Sequence, residues 1–467
     1  MPDAGTPSPP LRVAIVGAGP AGFYAAGHLF KQERPVEVDL YDKLPTPHGL
    51  VRAGVAPDHQ KIKSVTRVYD KIAAEDGFRF FGNVTYGKHL GLDDLRRHYH
   101  AVVFTTGAQV DRRLGIPGED LGGSHSATDF VAWYNGHPDY RHLAFDLSAE
   151  HVVVVGVGNV AVDVARILCR TPEELAATDI ADYALEALRA SGVRTVTMLG
   201  RRGPAQAAFT NPEVKELGEL EAADVYVPPD EATPDALSRA HLDAAPDRLV
   251  EKKLGILEDF ATRAPSGKPK RLVIRFLVSP TEILDDGRGR VGGVRVVRNA
   301  LYETDDGRLR PRATDRFEDL PAGLVFRSIG YRGVPLEGLP FDARWGVVPN
   351  TQGRVVDPET QQPVPGLYVA GWIKRGATGV IGTNKADAVE TIDALLEDVA
   401  AGRHLAPPEP AAAASAAAVR RACPDYFSYA DWQRIDALET EQGAAQGRPR
   451  VKYVCAEDML AALGRGG

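Results

Sequence analysis

Two stretches of this chain repeat one pattern, in which a run of apolar residues enters a glycine-rich turn and a helix follows. The first stretch, LRVAIVGAGPAGFYAA, places Gly17, Gly19 and Gly22 at G-x-G-x-x-G spacing, with Pro20 and Ala21 between the last two. In such a turn the first glycine permits the tight bend, the second lets the backbone approach a pyrophosphate, and the third lets the helix pack on the strand. The free N–H groups at the helix start then face the phosphates.

The segment after this turn completes a βαβ unit. A second predicted strand, PVEVDLYD, ends at Asp42. An acidic residue at this point, roughly 20 residues after the glycines, is suited to hold the ribose hydroxyl groups of a dinucleotide. A glycine motif alone is weak evidence, but the strand, the helix and the terminal carboxylate together predict a dinucleotide site.

The second stretch, HVVVVGVGNVAVDVAR, carries Gly156 and Gly158 with Ala161 in third place, an accepted variant of the fingerprint. Its next strand, TVTMLG, ends at Arg201 and Arg202 instead of a carboxylate. A carboxylate would repel a 2′-phosphate, whereas a guanidinium can bind one bidentately. We infer NADP(H) at this second site; the alternative is a solvated arginine pair after a strand.

Each glycine-rich turn with its strand and helix is here called a cradle. Two cradles that differ after their second strand suggest two different cofactors on one chain. We expect FAD at the first and NADPH at the second, because a flavin accepts a hydride and can release single electrons, whereas nicotinamide moves only hydride. Between the cradles and the C-terminus we predict a β meander over RLVIRFLVSPTEIL and VGGVRVVRNALYE, and a helix that starts near Gly382 or Thr383. A further helix is predicted over YADWQRIDALETEQG.

Composition excludes several other classes. A net charge of −8 argues against bulk nucleic-acid binding. The three cysteines are far apart, which excludes a C-x-x-C redox pair and a cysteine-ligated iron–sulfur cluster in this chain, and we predict no metal site. No apolar run reaches the ~18 residues of a membrane span, and the start lacks the apolar core of a secretory signal. We therefore expect a cytoplasmic protein.

Several longer stretches resemble one known family. They include LPTPHGLVRAGVAPDH, FRFFGNV, IPGEDL, WYNGHP, GRRGPAQAAFT, SIGYRGVPL and GWIKRGATGVIGTNKADA, and with the two glycine motifs they cover about residues 11–400 in order. The chain resembles the adrenodoxin reductase-type ferredoxin–NADP⁺ reductases, especially the bacterial NADPH–ferredoxin reductases. The resemblance implies an α/β fold with two Rossmann-like dinucleotide-binding domains, for FAD and NADP, of the three-layer ββα type.

The resemblance also implies a domain layout. Residues 1–10 would be a disordered tail, 11–110 and 333–400 a discontinuous FAD-binding domain, and 111–332 an inserted NADP-binding domain. Residues 401–467 would form a C-terminal linker and helical extension that packs on the FAD domain.

The implied cofactor contacts fall into two sets. The set for FAD comprises Gly17, Gly19, Pro20, Ala21, Gly22, Asp42, Leu50, Val84, Trp372, Gly379, Val380 and Ile381. The set for NADP comprises Arg112, Val157, Gly158, Asn159, Val160, Arg201, Arg202, Glu213 and Gly379. His59 and Glu216 are implied as the catalytic pair near the point where nicotinamide meets flavin, where we expect them to orient the nicotinamide or assist a later protonation.

Two positions depart from the family pattern. Asp42 stands where the family typically has glutamate, and it keeps the chemistry with one methylene less. His48 stands where a large aromatic residue such as phenylalanine or tryptophan is common, which bears on the packing there.

The expected reaction is hydride transfer from NADPH to FAD, followed by single-electron transfer to a ferredoxin, with a cytochrome P450 as one downstream option. Ferredoxins are acidic, so a basic docking surface is expected, either Lys374 with Arg375 or Lys268 with Lys270 and Arg271. Two alternatives stay open. One is a flavin monooxygenase or amine oxidase, and the other is an NADPH-oxidising FAD subunit of a larger complex, like the small subunit of glutamate synthase.

Overall fold

The computed structural model describes residues 9–465, so most of the predicted disordered tail lies outside the described residues. The chain divides into two compact units. Unit 1 contains the residues up to 110, residues 135–139 and the residues from 331 on, and unit 2 contains residues 111–134 and 140–330. These limits differ from the predicted layout in that 135–139 and 331–332 belong with unit 1.

Most of the strands pair in parallel with a neighbouring strand. In chain order they are β1 Leu11–Val16, β2 Val36–Tyr41, β3 Phe78–Phe81, β4 Ala101–Phe104, β5 Val110–Asp111, β6 Ser124–Ser126, β7 His151–Val155, β8 Thr195–Gly200, β9 Ala223–Tyr226, β10 Lys270–Phe276, β11 Val278–Asp285, β12 Val291–Glu303, β13 Leu309–Pro321, β14 Leu324–Arg327, β15 Tyr331–Arg332, β16 Asn350–Thr351, β17 Arg354–Val356 and β18 Pro363–Val369.

The helices range from single turns to α15, which has 18 residues. In chain order they are α1 Pro20–Leu29, α2 Leu50–Ala53, α3 Gln60–Lys63, α4 Thr66–Ala73, α5 Leu92–His98, α6 Ala127–Tyr134, α7 Asn159–Cys169, α8 Pro172–Ala176, α9 Asp182–Arg189, α10 Asn211–Leu217, α11 Pro229–Ala232, α12 Ala236–Ala244, α13 Arg248–Thr262, α14 Trp372–Arg375, α15 Thr383–Ala400, α16 Ala412–Ala422, α17 Tyr429–Ala445 and α18 Ala456–Ala462. Short 3₁₀ turns occur at Pro138–Tyr140 and Pro204–Gln206.

The sheet of unit 1 has the strand order β16-β17-β18-β4-β1-β2-β3. The five strands from β18 to β3 are parallel, and β16 and β17 add an antiparallel edge. Strand β1, LRVAIV, is buried along its whole length, as expected for a central parallel strand with both faces covered. The order reverses at β1, where β2 lies on one side and β4 on the other, and this is the point at which open α/β sheets bind ligands.

Unit 2 repeats this arrangement around the second motif. Its six-stranded sheet has the order β6-β14-β7-β8-β10-β9 and is parallel throughout. Strand β7 is HVVVV, a β-branched run, and it lies between β8 and β14 at the switch point. The antiparallel β11-β12-β13 sheet packs on one face through a buried cluster that joins Val153 and Val155 to Val294 and Val296. The predicted α/β fold with two Rossmann-like units is confirmed.

Two predicted helices appear where the sequence placed them. Helix α15 begins at Thr383, one of the two predicted positions. Helix α17 begins at Tyr429 after a capping box in which Ser428 and Asp431 satisfy each other's backbone N–H groups. Helix α8 has the same arrangement with Thr171 as its cap. Within residues 9–465, none of the helices has the length and apolar character that a membrane crossing demands.

Candidate functional site

The three glycines of the first motif have different surroundings in unit 1. Gly17 has a φ of 115°, and a Cβ there would lie 2.6 Å from the Thr105 carbonyl oxygen. A Cβ on Gly22 would lie 2.2 Å from the Gly17 carbonyl oxygen, so helix α1 can pack here only without a side chain. In front of Gly19 the space is open, with no neighbouring atom of the described residues within 4 Å of its Cβ position.

This pattern fits a pyrophosphate. Two glycines are required by packing against protein, and the third faces the space that a phosphate would fill. Helix α1 begins at Pro20 without a side-chain cap, so its first N–H groups and the positive end of its dipole point toward the same space. Ala21 is buried one residue later, and Gly371 approaches it so closely that a Cβ on Gly371 would lie 2.8 Å from the Ala21 Cβ.

Asp42 follows strand β2 and supports the glycine turn. One carboxylate oxygen accepts the Ala18 N–H at 2.7 Å and the other accepts the Leu44 N–H at 2.8 Å. Burial raises the pKa of Asp42, and the two backbone N–H groups counteract that effect. The carboxylate thus stands beside Gly17 and Gly19 at the carboxyl end of the sheet, where a ribose would be held, and each oxygen keeps a further lone pair.

Two predicted apolar contacts, Leu50 and Val84, lie in segments that adjoin the glycine turn and the Asp42 backbone. Leu50 is the first residue of α2 and is 39% exposed. Val84 is buried, and its N–H donates to the Asp42 carbonyl oxygen at 2.9 Å. The turn before α2 lies on the glycine loop, since a Cβ on Gly49 would approach the Gly19 Cα to 3.0 Å.

Trp372 and the loop that follows it lie near the start of α1 and α15. The Trp372 ring stacks on Tyr331 with centroids 5.6 Å apart, and its indole N–H donates to the Thr378 carbonyl oxygen at 3.1 Å. That bond ties the ring to the loop that carries Gly379, Val380 and Ile381.

The loop from Gly379 to Ile381 leads directly into α15. Gly379 has a φ of 79°, and Thr383 packs so closely that a Cβ on Gly379 would lie 2.6 Å from its hydroxyl oxygen. That hydroxyl accepts the Val380 N–H at 3.1 Å, while the Val380 side chain is 55% exposed. The Val380 side chain thus lies exposed three residues before the 18-residue helix α15 begins.

In the second cradle, in unit 2, one glycine again packs against protein and the next faces open space. Gly156 has a φ of 139°, and a Cβ there would lie 2.1 Å from the Ser328 carbonyl oxygen. Gly158 faces open space, with no neighbouring atom of the described residues within 4 Å of its Cβ position. Ala161, the third residue of the motif, is fully buried, so its methyl group is accommodated in the packing of α7.

Backbone contacts hold this second turn in place. The Val157 carbonyl oxygen accepts the N–H groups of Ala208 and Phe209 at 2.9 and 3.0 Å. The Asn159 side-chain oxygen accepts the Thr210 N–H at 2.8 Å, just before α10 begins. Val160, in the first turn of α7, is half-buried.

Arg201 and Arg202 follow β8, and no carboxylate of residues 9–465 pairs with either. Arg201 is exposed, and Arg202 is half-buried and donates to the Gln206 carbonyl oxygen at 3.4 Å. Neither guanidinium forms an ion pair with any residue the structure describes. Burial and the neighbouring Arg201 lower the pKa of Arg202, so a bound anion would relieve the repulsion between the two cations.

Sequence reasoning did not identify Arg166, whose guanidinium lies near three carboxylates of unit 2. Arg166, on α7, is fully buried and lies 2.7 Å from Asp163, 3.4 Å from Glu213 and 3.9 Å from Glu216. Buried arginine requires acidic partners, so an arginine on the apolar face of a helix is the signal that was available. Glu213 is nearly buried, whereas the Glu216 side chain is 40% exposed.

The remaining two predicted residues lie in different units. Arg112, in unit 2, donates its backbone N–H to the Gly330 carbonyl oxygen at 2.9 Å. His59, in unit 1, is half-buried and occupies the N-cap position of α3, where its N–H donates to the Ala56 carbonyl oxygen at 3.0 Å.

The two basic clusters predicted for docking are both engaged inside their own units. Lys374 is buried and lies 2.5 Å from Glu390, and Arg375 binds the Asn384 side chain at 2.8 Å. Lys268 and Lys270 donate to the carbonyl oxygens of Leu220 and Leu168 at 2.5 and 2.7 Å. These four side chains therefore bind carboxylate, amide or carbonyl oxygens of their own units, and a docking role for either cluster stays a prediction.

The remaining basic residue of those clusters, Arg271, places its guanidinium over the Tyr226 ring, 4.7 Å from the centroid. This contact is a cation–π interaction within unit 2.

Comparisons with known proteins agree with the two cradles. Residues 11–199 match a family model described as pyridine nucleotide-disulphide oxidoreductase. The chain is 46% identical over 460 residues to NADPH-ferredoxin reductase FprA of Mycobacterium tuberculosis, covering 97% of this chain and 98% of that protein. It is 42% identical to the mitochondrial NADPH:adrenodoxin oxidoreductase of Arabidopsis thaliana, covering 97% and 96% of the two chains. The solved structure of M. tuberculosis FprA in complex with NADPH superposes with a TM-score of 0.92 at 45% identity, covering 98% of this chain and all of that one.

Proposed function

The chain belongs to the family of NADPH–ferredoxin reductases, and on that premise we propose that its two cradles divide the cofactors, with FAD in unit 1 and NADP(H) in unit 2. The protein is a flavin- and NADPH-dependent oxidoreductase that passes electrons to a ferredoxin. The assignment of the two cofactors rests on the residue that follows the second strand of each motif. Unit 1 has Asp42 there, and unit 2 has Arg201 and Arg202, which form no ion pair within the described part of the chain.

When bound, the two nucleotides supply the redox chemistry, because NADPH gives a hydride to the flavin and the reduced flavin gives single electrons to the iron–sulfur partner. In unit 1 the open space before Gly19 and the start of α1 would receive the FAD pyrophosphate. Asp42 would accept hydrogen bonds from the ribose. Trp372 would cover part of the flavin ring, and the N-terminus of α15 would stabilise negative charge that develops on it.

In unit 2 the open space before Gly158 would receive the pyrophosphate of NADP(H). The Arg201 and Arg202 guanidinium groups would bind the 2′-phosphate, which NAD(H) lacks. The Asn159 side chain is occupied by Thr210, so its contribution is to fix the turn while the backbone of Val157 to Val160 meets the ligand. Arg112 and Glu213 complete the proposed set.

His59 and Glu216 are proposed to orient the nicotinamide or to assist a later protonation. Hydride transfer needs no obligatory acid or base from the protein, so neither group is expected to be indispensable. Arg166 fixes the α10 end of this arrangement, since its guanidinium lies near both Glu213 and Glu216.

We further propose that ferredoxin docks on the surface of α3 and α4. Lys61, Arg67 and Lys71 are exposed and have no partner among the residues the structure describes. Ile62 and Val68 are 42% and 47% exposed between them. Exposed apolar side chains on a segment that also carries exposed cations suit an acidic partner, because the apolar residues exclude water while the charges steer association. This segment begins at Gln60, directly after His59 in the chain.

We propose that the protein works in the cytoplasm. All three cysteines are free, two of them buried, which suits a reducing compartment.

Anaerobic stopped-flow spectroscopy tests the proposed reaction. NADPH is expected to bleach the flavin absorbance in one phase, and oxidised ferredoxin added afterwards is expected to restore it in one-electron steps. If ferredoxin leaves the reduced enzyme unchanged while oxygen with an organic substrate reoxidises it with hydroxylated product, the protein is a monooxygenase instead. If a larger partner protein is needed for any reoxidation, the electron-transfer-subunit alternative holds.

A further inference from the structure

The C-terminal segment comprising residues 423–453, here called the C-terminal brace, lies in unit 1. We propose that this brace is part of the flavin site, in which the buried Arg52–Glu439 pair acts as a positioning pair that keeps the loop of residues 48–52 on the glycine turn. The proposal rests on the proposed assignment of FAD to unit 1. Sequence motifs gave no role to this part of the chain.

The loop of residues 48–52 touches the first glycine turn directly. The His48 N–H donates to the Ala18 carbonyl oxygen at 2.8 Å, and Gly49 lies against Gly19. Both loop residues have left-handed backbone, with φ of 82° at His48 and 47° at Gly49. Such a conformation is costly for histidine and persists only when surrounding groups enforce it.

Glu439 of the brace provides that enforcement through Arg52. The two Arg52 terminal nitrogens donate to the two Glu439 carboxylate oxygens at 2.7 and 2.5 Å, a bidentate arrangement. Glu439 is fully buried and also accepts hydrogen bonds from Arg450 at 3.0 Å and from the Tyr453 N–H at 2.9 Å. Burial alone would raise the pKa of Glu439, but Arg52 and Arg450 outweigh it and hold the pKa below its ordinary value.

Two more brace residues contact the same loop. The Trp432 ring meets the His48 ring edge-on at 5.5 Å, and the Arg52 guanidinium lies over Trp432 at 5.1 Å from the centroid. The Lys452 ammonium group donates to the Arg52 carbonyl oxygen at 3.2 Å. His48, Arg52 and the Arg52 backbone are thus all contacted by groups of one C-terminal segment.

The brace also holds the segment that carries Val84. Phe427 and Gly82 exchange two backbone hydrogen bonds of 2.8 and 2.9 Å. The Cys423 thiol donates to the carbonyl oxygen of Asn83, whose φ is 63°. The Val84 N–H then donates to the Asp42 carbonyl oxygen. Two loops that bear proposed FAD contacts, Leu50 and Val84, therefore depend on the same brace.

The test compares two buried carboxylates of unit 1 that each bind two arginines. Glu439→Gln keeps the shape and removes the charge that holds Arg52. Asp398→Asn is the matched control, because Asp398 is buried, binds Arg354 and Arg403 at 2.9 and 2.7 Å, and forms no hydrogen bond or ion pair with either cradle loop among the residues the structure describes. For each purified protein, flavin fluorescence measures the FAD dissociation constant and the rate of FAD release. On the flavin-free protein, calorimetry measures the NADP⁺ dissociation constant and circular dichroism measures the melting temperature.

We expect Glu439→Gln to weaken FAD binding at least tenfold and to speed FAD release, while its affinity for NADP⁺ stays unchanged. We expect Asp398→Asn to change FAD affinity less than threefold, although its melting temperature falls by a comparable amount. Equal weakening of FAD binding by the two variants, or unchanged FAD affinity in Glu439→Gln, overturns the proposal. Should Glu439→Gln not fold, Arg52→Lys, which keeps the charge but loses the bidentate geometry, is held to the same criteria.

The proposed function fails by a different result. A wild-type protein that binds no FAD refutes the assignment of the cofactor, whereas tight wild-type binding with an insensitive Glu439→Gln variant refutes only the role of the brace.

Discussion

Replacing Arg201 with alanine tests the cofactor choice at the second cradle. Arg201 is exposed and, within the described part of the chain, has no carboxylate to neutralise, so its removal leaves no buried charge and should not alter folding. A charge-assisted hydrogen bond contributes about 1.5 to 3 kcal/mol. That range corresponds to an increase of about 10- to 150-fold in the KM for NADPH, while the KM for NADH, which has no 2′-phosphate, stays the same.

Steady-state kinetics with both nucleotides and an artificial acceptor measure this change. Arg308→Ala is the control, since it also removes an exposed arginine of unit 2, one whose single ion pair within residues 9–465 is with Asp306 on the same hairpin. The reasoning is refuted if Arg201→Ala raises both KM values by one factor, because the arginine would then bind a group that the two nucleotides share.

Three other predictions concern stability and docking. Burial lowers the pKa of His48 to about 3 from an ordinary 6.5, so the unfolded chain is protonated first and the free energy of unfolding falls as the pH drops from 6.5 toward 3. In urea denaturation, His48→Phe should reduce the loss of that free energy between pH 7 and 4.5 by about 2 to 3 kcal/mol, and an unchanged loss would contradict a buried neutral imidazole. Arg166→Met should lower the free energy of unfolding by about 3 to 5 kcal/mol, because it leaves the carboxylates of Asp163 and Glu213 without their cation. The control Arg170→Met, which removes a more exposed ion-pairing arginine, should lower it by about 1 kcal/mol or less, and equal losses would argue against a buried network. Converting Lys61, Arg67 and Lys71 together to glutamate should raise the KM for ferredoxin at least tenfold and flatten its salt dependence without slowing flavin reduction by NADPH, and unchanged ferredoxin kinetics would place the docking surface elsewhere.

Local patterns predicted the parts of the site that depend on neighbouring residues in the chain. The spacing of Gly17, Gly19 and Gly22 reflects one strand, one turn and one helix, so it could be interpreted without knowledge of the rest of the fold. The start of α15 was predicted for the same reason, since a glycine-rich loop before an amphipathic run marks a helix N-terminus.

Features that depend on distant pairing could not be predicted in this way. Lys374 looked like surface charge until the fold brought Asp387 and Glu390 against it. Arg52 and Glu439 are 387 positions apart, and nothing in either local sequence indicates the other. Charged residues are usually solvent-exposed, so a buried ion pair stays hidden until the tertiary structure supplies its partner.

The central claim is that one chain holds two different nucleotides in separate cradles, and equilibrium binding to the flavin-free protein tests it most directly. We predict one FAD and one NADP⁺ bound per chain without competition, with Gly19→Val abolishing only FAD binding and Gly158→Val abolishing only NADP⁺ binding, since both side chains enter space that is open in the protein alone. Displacement of FAD by NADP⁺, or loss of both ligands in either variant, would contradict the account.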